Sequence, residues 1–169
     1  LMLTPGVLRI VLVLTTILLG ACSEERGSIP VGSHIAVAVT PGGLTRGGQT
    51  YVVQGVGGDE NLARLASRGG NSIRTWTTNG LDKILDEAHS LKLTVSAGIW
   101  LEQECSWFSY KNPGHCARQA DRVRKEVTTY RDHPALLAWG IGNEVEGDGS
   151  NIAFWQQLER LATLVGELD

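Results

Sequence analysis

Four short apolar runs alternate with four amphipathic stretches between residues 52 and 167, and that alternation restricts the possible folds more than any other feature of the chain. Residues 52–55, 72–76, 93–100 and 136–143 read as strands. Residues 60–67, 81–90, 117–130 and 152–167 read as helices; in the second, Leu81, Ile84, Leu85 and Ala88 line one face while Lys83 and Glu87 take the other. Strand followed by amphipathic helix at this interval is the pattern of parallel βαβ units, in which each helix crosses one face of the sheet to bring in the next strand. Gly69-Gly70 closes the first helix, and Pro134 stands where a helix has ended and a strand begins. Upstream, residues 35–39 and 50–54 flank Pro41-Gly42-Gly43 and Arg46-Gly47-Gly48, which predicts a β-hairpin leading into the units.

The unusual residues stand at the strand ends. The fourth run, Ala135-Leu136-Leu137-Ala138-Trp139-Gly140-Ile141-Gly142, closes on Asn143-Glu144, and a strand apolar enough to be buried on both faces has no use for that pair unless its C-terminal end opens onto a site. Arg74 and Trp76 stand at the end of the second strand, and Trp100 and Glu102 at the end of the third. In a parallel α/β barrel these ends meet at one mouth, where such folds place their chemistry. Glu144 is the candidate catalytic acid, and the Arg74 guanidinium is suited to orienting a carboxylate, although barrels also use such arginines in structural ion pairs at the rim. Of the five tryptophans, Trp76, Trp100 and Trp107 fall at strand ends or in the loop after the third strand, where a flat indole suits the apolar face of a sugar ring. Trp139 and Trp155 read as packing residues, and Asp132 and His133 as turn and capping groups.

The N-terminus has the organisation of an exported protein. Arg9 precedes an apolar stretch at residues 10–19, the length of a signal-peptide core and too short to span a bilayer. Leu19-Gly20-Ala21-Cys22 resembles the bacterial lipobox, which implies a signal peptide over residues 1–21 and lipidation at Cys22. Residues 22–34 are polar and contain glycine and proline, as expected of a tether from a membrane surface. The folded domain is then expected over residues 35–169, carried on the cell envelope, at the outer membrane or cell surface, by its lipid anchor. Setting Cys22 aside leaves Cys105 and Cys116, an even pair in one segment, and a disulfide between them is the economical expectation in an oxidising compartment. A metal site recruiting Glu104, His115 and Cys116 is the competing reading, but the spacing matches no zinc pattern. A net charge of −3 with interspersed signs gives no footprint for nucleic acid.

Asn71-Ser72-Ile73-Arg74-Thr75-Trp76, Gly98-Ile99-Trp100 and the run from Asp132 to Glu144 together resemble the barrel domain of clan A glycoside hydrolases, above all those of family 2. The resemblance extends over residues 51–169. It implies an α/β fold forming the N-terminal half of a (β/α)8 TIM barrel, about four βα units preceded by the short hairpin. It also implies a retaining glycoside hydrolase of O-glycosyl compounds acting on an oligo- or polysaccharide, with Glu144 as general acid/base. Asn143 then contacts the sugar 2-hydroxyl, Arg74 helps to position the nucleophile, and Trp76 and Trp100 bind substrate. A glycosidic oxygen is a poor leaving group until protonated, and the transition state needs a second carboxylate beneath the anomeric carbon, so two carboxyl groups suffice and no metal or organic cofactor is implied.

In the family the nucleophile comes from the seventh strand. With 169 residues against the ~250 of a closed barrel, the chain is expected to be the N-terminal part of a longer hydrolase. Glu102, Glu104, Glu146 and Asp148 also lie near the mouth, but none stands in the nucleophile's motif. Three other readings compete: a glucanosyltransferase, a non-catalytic carbohydrate-binding surface lipoprotein, and a nucleotide-binding domain drawn from the glycine-rich Gln54-Gly55-Val56-Gly57-Gly58-Asp59. The last lacks the third glycine of the dinucleotide fingerprint and carries acids where phosphate would sit.

Overall fold

A computed structural model describes residues 35–169. The signal segment, Cys22 and the tether lie outside the described residues. Two sheets are present. β1 (Val37–Thr40), β2 (Gly43–Arg46) and β3 (Gln49–Thr50) form an antiparallel meander, and β4 (Gly55–Gly57), β5 (Ser72–Arg74), β6 (Thr94–Ile99) and β7 (Leu136–Ile141) form a parallel sheet in chain order. The helices α1 (Leu62–Ser67), α2 (Leu81–Ser90), α3 (Pro113–Tyr130) and α4 (Ile152–Leu168) complete the alternating pattern. The fold is thus mixed α/β with a four-stranded parallel sheet. The sheet is open, and no closed barrel forms among the described residues.

Apolar residues on one face of the sheet explain where the helices pack. Ile73, Val95, Ala97 and Leu136 meet Leu62 of α1 and Leu81, Leu85 and Ala88 of α2 in one buried cluster. Ile99 and Leu101 meet Val123 and Val127 of α3 and Phe154, Leu161 and Val165 of α4 in a second, and Trp139 packs against both. Each fully buried leucine or isoleucine contributes about 1.5–3 kcal/mol through removal of apolar surface from water. The opposite face, by the two-residue period of a strand, carries Ser72, Arg74, Thr94, Ser96, Gly98, Ala138 and Gly140. At its N-terminal end a hydroxyl network fills the space, with Tyr51 Oη 3.0 Å from Thr94 Oγ1 and Thr94 Oγ1 donating to Ser72 Oγ at 2.9 Å.

Three departures from the sequence expectation have local causes. The hairpin is a three-stranded meander because each glycine pair makes its own turn. Pro41-Gly42 links β1 to β2, and Gly47-Gly48, both at positive φ (57° and 76°), supply the left-handed conformations of the tight turn between β2 and β3. The first parallel strand begins at Gly55 rather than Val52; residues 52–54 are held mainly by the Asn71 side chain, with one backbone bond from Asn71 N to the Gln54 carbonyl at 2.8 Å. Asn71 Oδ1 accepts from Gln54 N at 2.7 Å, and Asn71 Nδ2 donates to the Val52 carbonyl at 2.8 Å. Helix α3 starts at Pro113, four residues before the expected Ala117, where the Asn112 side chain accepts from Gly114 N and His115 N and proline takes the first helical position.

The glycine-rich segment is strand and not a phosphate-binding turn, which overturns the nucleotide reading. Gly55 and Gly57 pair with Ser72 and Arg74. A Cβ on Gly55 would stand 2.2 Å from the Ser72 carbonyl oxygen, and one on Gly57 would stand 2.8 Å from the Trp76 ring. Close approach of the backbone therefore requires Gly55, while a side chain at residue 57 would displace the Trp76 ring. The expected Cys105–Cys116 disulfide is likewise absent, and both thiols are free. Cys105 is committed to a tight turn through paired backbone hydrogen bonds with Phe108, while Cys116 is buried in the first turn of α3, its thiol donating to the Tyr110 carbonyl at 3.3 Å.

Candidate functional site

The parallel register brings the ends of β5, β6 and β7 level. Arg74 pairs with Ser96, Gly98 with Gly140, and Ile99 with Ile141, so Trp100 lies alongside the Gly142-Asn143 step. Gly142 N donates to the Ile99 carbonyl at 2.8 Å and extends that pairing by one bond. Past β5 the chain crosses over β6. Thr75, buried, donates its N–H to the Ser96 carbonyl and accepts from Gly98 N at 3.0 Å through its hydroxyl. A Cβ on Gly98 would stand 2.3 Å from the Thr75 carbonyl oxygen and 2.6 Å from Trp76 Cα, so this crossing exists because residue 98 has no side chain.

Arg74 Nη2 donates to Asn143 Oδ1 at 3.0 Å, joining the second and fourth parallel strands across the mouth of the sheet. A guanidinium only donates, so this bond fixes which way the Asn143 amide faces and leaves Nδ2 as a donor with no partner among the described residues. The Arg74 guanidinium carbon also lies 5.9 Å from the Trp76 ring centroid, within cation–π reach. Arg74 makes no ion pair among the described residues, so the rim ion pair considered from the sequence is not formed there.

Glu144 follows directly. Its backbone sits in the left-handed region at φ 49°, a conformation uncommon for residues other than glycine, asparagine and aspartate. Gly142 at φ 81° begins the reversal, and there a Cβ would stand 2.8 Å from Val145 Cγ2. Gln103 Nε2 donates to the Glu144 carbonyl at 3.0 Å and ties this bend to the loop after β6. The Glu144 side chain is exposed and lines a cleft of about 300 Å³ with Gln103, Glu104, Tyr110, Glu146 and Asn151. Backbone strain of this kind costs of order 1–3 kcal/mol and collects at functional sites.

The neighbouring carboxylates are each taken up by local structure. Glu102 receives Arg122 Nη2 at 3.0 and 3.1 Å and Gln119 Nε2 at 2.6 Å. Glu104 accepts from Tyr110 N at 3.1 Å and Asn151 Nδ2 at 3.0 Å; the Ser109 hydroxyl above all, with the Tyr110 N–H, holds its carboxyl below the usual range. Glu146 accepts from Gly149 N and Asp148 from Ser150 N, both within the loop before α4, and hydrogen bonds from Ser150 hold the Asp148 carboxyl low as well. Glu104, His115 and Cys116 face the backbone of their own loop: Glu104 the Tyr110 N–H, His115 Nδ1 the Ser109 N–H, and Cys116 the Tyr110 carbonyl. Among the described residues no group of three such side chains is placed to hold a metal ion, and no helix is long and apolar enough to cross a membrane.

Trp76 and Trp100, 38 % and 43 % exposed, remain open at the strand ends. Trp139 packs between the two clusters and donates to Asp169 at 2.7 Å, as expected of a packing residue. Trp155, expected to pack, lies edge-on to Phe154 at 4.9 Å but is 46 % exposed, with its N–H on the Gly149 carbonyl at 3.0 Å. Gln103 and Thr75 escaped the sequence reading, for neither stands in a motif. Only the pairing of strand ends reveals them.

No family model matches the chain, and no curated protein matches it. Solved structures do. A β-glucuronidase from Bifidobacterium dentium, complexed with coumarin-3-O-glucuronide, superposes with a TM-score of 0.64 at 17% identity over 80% of this chain and 24% of its own. A glycosyl hydrolase family 2 member from Bacteroides cellulosilyticus gives 0.61 at 16% identity, over 80% of this chain and 20% of its own. A β-D-glucuronidase from Dictyoglomus thermophilum gives 0.60 at 15% identity, over 80% and 27%. The chain spans about a quarter of the length of these proteins or less, and at this identity the likeness is one of fold: the parallel sheet and its helices resemble part of two β-glucuronidases and of a family 2 glycosyl hydrolase.

Proposed function

We propose that the chain carries the acid/base half of a retaining glycoside hydrolase, with Glu144 as the proton donor to the departing glycosidic oxygen. The observation that supports this best is the Arg74–Asn143 hydrogen bond, with Glu144 beside it on a strained bend at the end of β7. Asn143, its amide oriented by Arg74, offers Nδ2 to a sugar 2-hydroxyl. Trp76 and Trp100 offer ring faces to the sugar. The four units are read as half of a (β/α)8 barrel, with the nucleophilic carboxylate supplied by a later strand of a longer polypeptide, about 5 Å from Glu144 as double displacement requires. Arg74 then orients that carboxylate. The carbohydrate is an oligo- or polysaccharide, reached from an envelope surface to which Cys22 anchors the protein by lipid. Labelling of the mature N-terminus with radioactive fatty acid tests that placement.

In the full-length gene product, Glu144→Gln removes the transferable proton while keeping the side chain's shape. Turnover of aryl glycosides falls about a hundred- to ten-thousand-fold, with circular dichroism and melting temperature unchanged. Retention of wild-type turnover by this variant excludes the assignment. Sugar affinity without turnover in the full-length wild type supports the non-catalytic carbohydrate-binding reading, which the open Trp76 and Trp100 rings also favour.

A further inference from the structure

Beyond the strand ends, the loop between β6 and α3 builds a second cleft of about 310 Å³ on the α3 side, and Trp107 forms one of its walls. Pockets that hold small ligands run from ~300 to 1,000 Å³, so this cleft has room for a single sugar unit. Trp107 is 69 % exposed, the most exposed tryptophan at a described position. It is nonetheless held firmly. Cys105 and Phe108 exchange backbone hydrogen bonds of 2.9 and 3.2 Å and close a tight turn with Ser106 and Trp107 at its tip. Its ring packs edge-on to Phe108 at 6.2 Å, Phe108 packs on Tyr110 at 4.9 Å, and Tyr110 on Phe154 at 5.2 Å, a chain of rings running into the core. His115 stacks on Phe108 at 5.4 Å and 25°. An exposed aromatic plate fixed in advance loses little conformational entropy when a ligand settles on it.

The charges of the cleft are unequal in their commitments. Arg122 is spent on Glu102 and Glu126, which neutralises the Glu102 carboxylate at this wall. Arg118 has no hydrogen-bond or ion-pair partner among the described residues. His115 accepts at Nδ1 from Ser109 N, so in its neutral form the ring carries its proton on Nε2 and offers one more donor. An indole face beside an uncommitted guanidinium, with a ring N–H nearby, matches a pyranose that carries a carboxylate: the C–H face lies on the indole and the carboxylate meets the planar fork.

We propose that this cleft is an accessory binding site for a uronic acid residue of a polysaccharide, with Trp107 as the stacking platform and Arg118 as the carboxylate receptor. The site does not use Glu144, so it stands or falls separately from the catalytic reading. The test is isothermal titration calorimetry of the full chain with tetragalacturonate and with uncharged cellotetraose. Tetragalacturonate is expected to bind at least about tenfold more tightly, the scale of one charge-assisted hydrogen bond, and to weaken as salt is added. Trp107→Ala should weaken both ligands. Arg118→Gln should bring tetragalacturonate down to the level of cellotetraose and leave cellotetraose unchanged, and Glu144→Gln should leave the acidic preference intact. Circular dichroism confirms that the variants fold. Equal affinity for the two probes, no binding of either, or an acidic preference that survives Arg118→Gln would overturn the proposal; loss of the preference in Glu144→Gln alone would move the acidic site to the strand ends and overturn it as well.

Discussion

A single hydrogen bond between two side chains 69 residues apart organises the candidate site. Arg74 reads the Asn143 oxygen at 3.0 Å and lies on the Trp76 ring, and both contacts depend on the planar guanidinium. Lysine supplies the charge without the plane. Arg74→Lys is therefore expected to lower kcat/KM of the full-length enzyme at least about tenfold, since one hydrogen bond from a charged donor contributes roughly 1.5–3 kcal/mol, while the melting temperature stays within a degree or two; steady-state kinetics on an aryl glycoside and a thermal melt decide it. The placement of these residues at the strand ends was legible in the chain. Arg74, Trp76, Trp100, Asn143 and Glu144 stand out because polar and aromatic groups at the ends of buried strands need a reason to be there. The cysteine pair misled, because even numbers carry no geometry: Cys105 is fixed in a turn and Cys116 points into the core. Gln103 and Thr75 act through backbone groups of other segments and leave no pattern in the sequence.

At the scale of elements, the period of the apolar residues identified β5, β6, β7 and the four described helices, and α2 agrees with expectation at both ends, whereas β4 falls mostly on glycines read as a turn. Boundaries failed where a side chain replaced a ladder bond or a cap. The Asn71 side chain supplements a single backbone bond to Gln54 in holding residues 52–54, and Asn112-Pro113 starts α3 a full turn early. The glycines were visible but misread, because a glycine required by close packing looks the same in sequence as one required by a turn. Gly98 gives the sharpest test of the packing role. A Cβ there meets backbone at 2.3 Å with no flexible group to yield, so Gly98→Ala should cost about 1–3 kcal/mol through overpacking and displace Trp76. Urea denaturation measures the first effect, and weaker sugar binding or a changed indole emission the second. An unchanged midpoint would mean that the crossing of residues 75–76 over β6 is looser than described.

For the molecule as a whole, the one-sided sheet is the controlling feature. Helices cover the face of Ile73, Val95 and Ala97, while the face that carries Arg74 holds small residues, glycine and hydroxyls. The loop after β6 is closed on itself by Tyr110, whose ring packs on Phe154, whose hydroxyl donates to the Glu102 carbonyl and whose ionisation burial pushes from 10.0 up to about 12. The unfolded chain ionises this phenol first as pH rises, so the stability it contributes is complete below about pH 10 and declines between 10 and 12. Denaturation midpoints followed across that window should fall for the wild type and fall less for Tyr110→Phe; parallel curves would deny the phenol this role.

The central claim is that Glu144 delivers a proton to the leaving group, and leaving-group dependence of the full-length enzyme tests it most directly. In Glu144→Ala, a glycoside with a poor leaving group such as methyl should slow by about a hundred- to ten-thousand-fold, whereas a dinitrophenyl glycoside, which departs without protonation, should form its glycosyl-enzyme at close to the wild-type rate. Equal slowing of both substrates, or of neither, would contradict the claim.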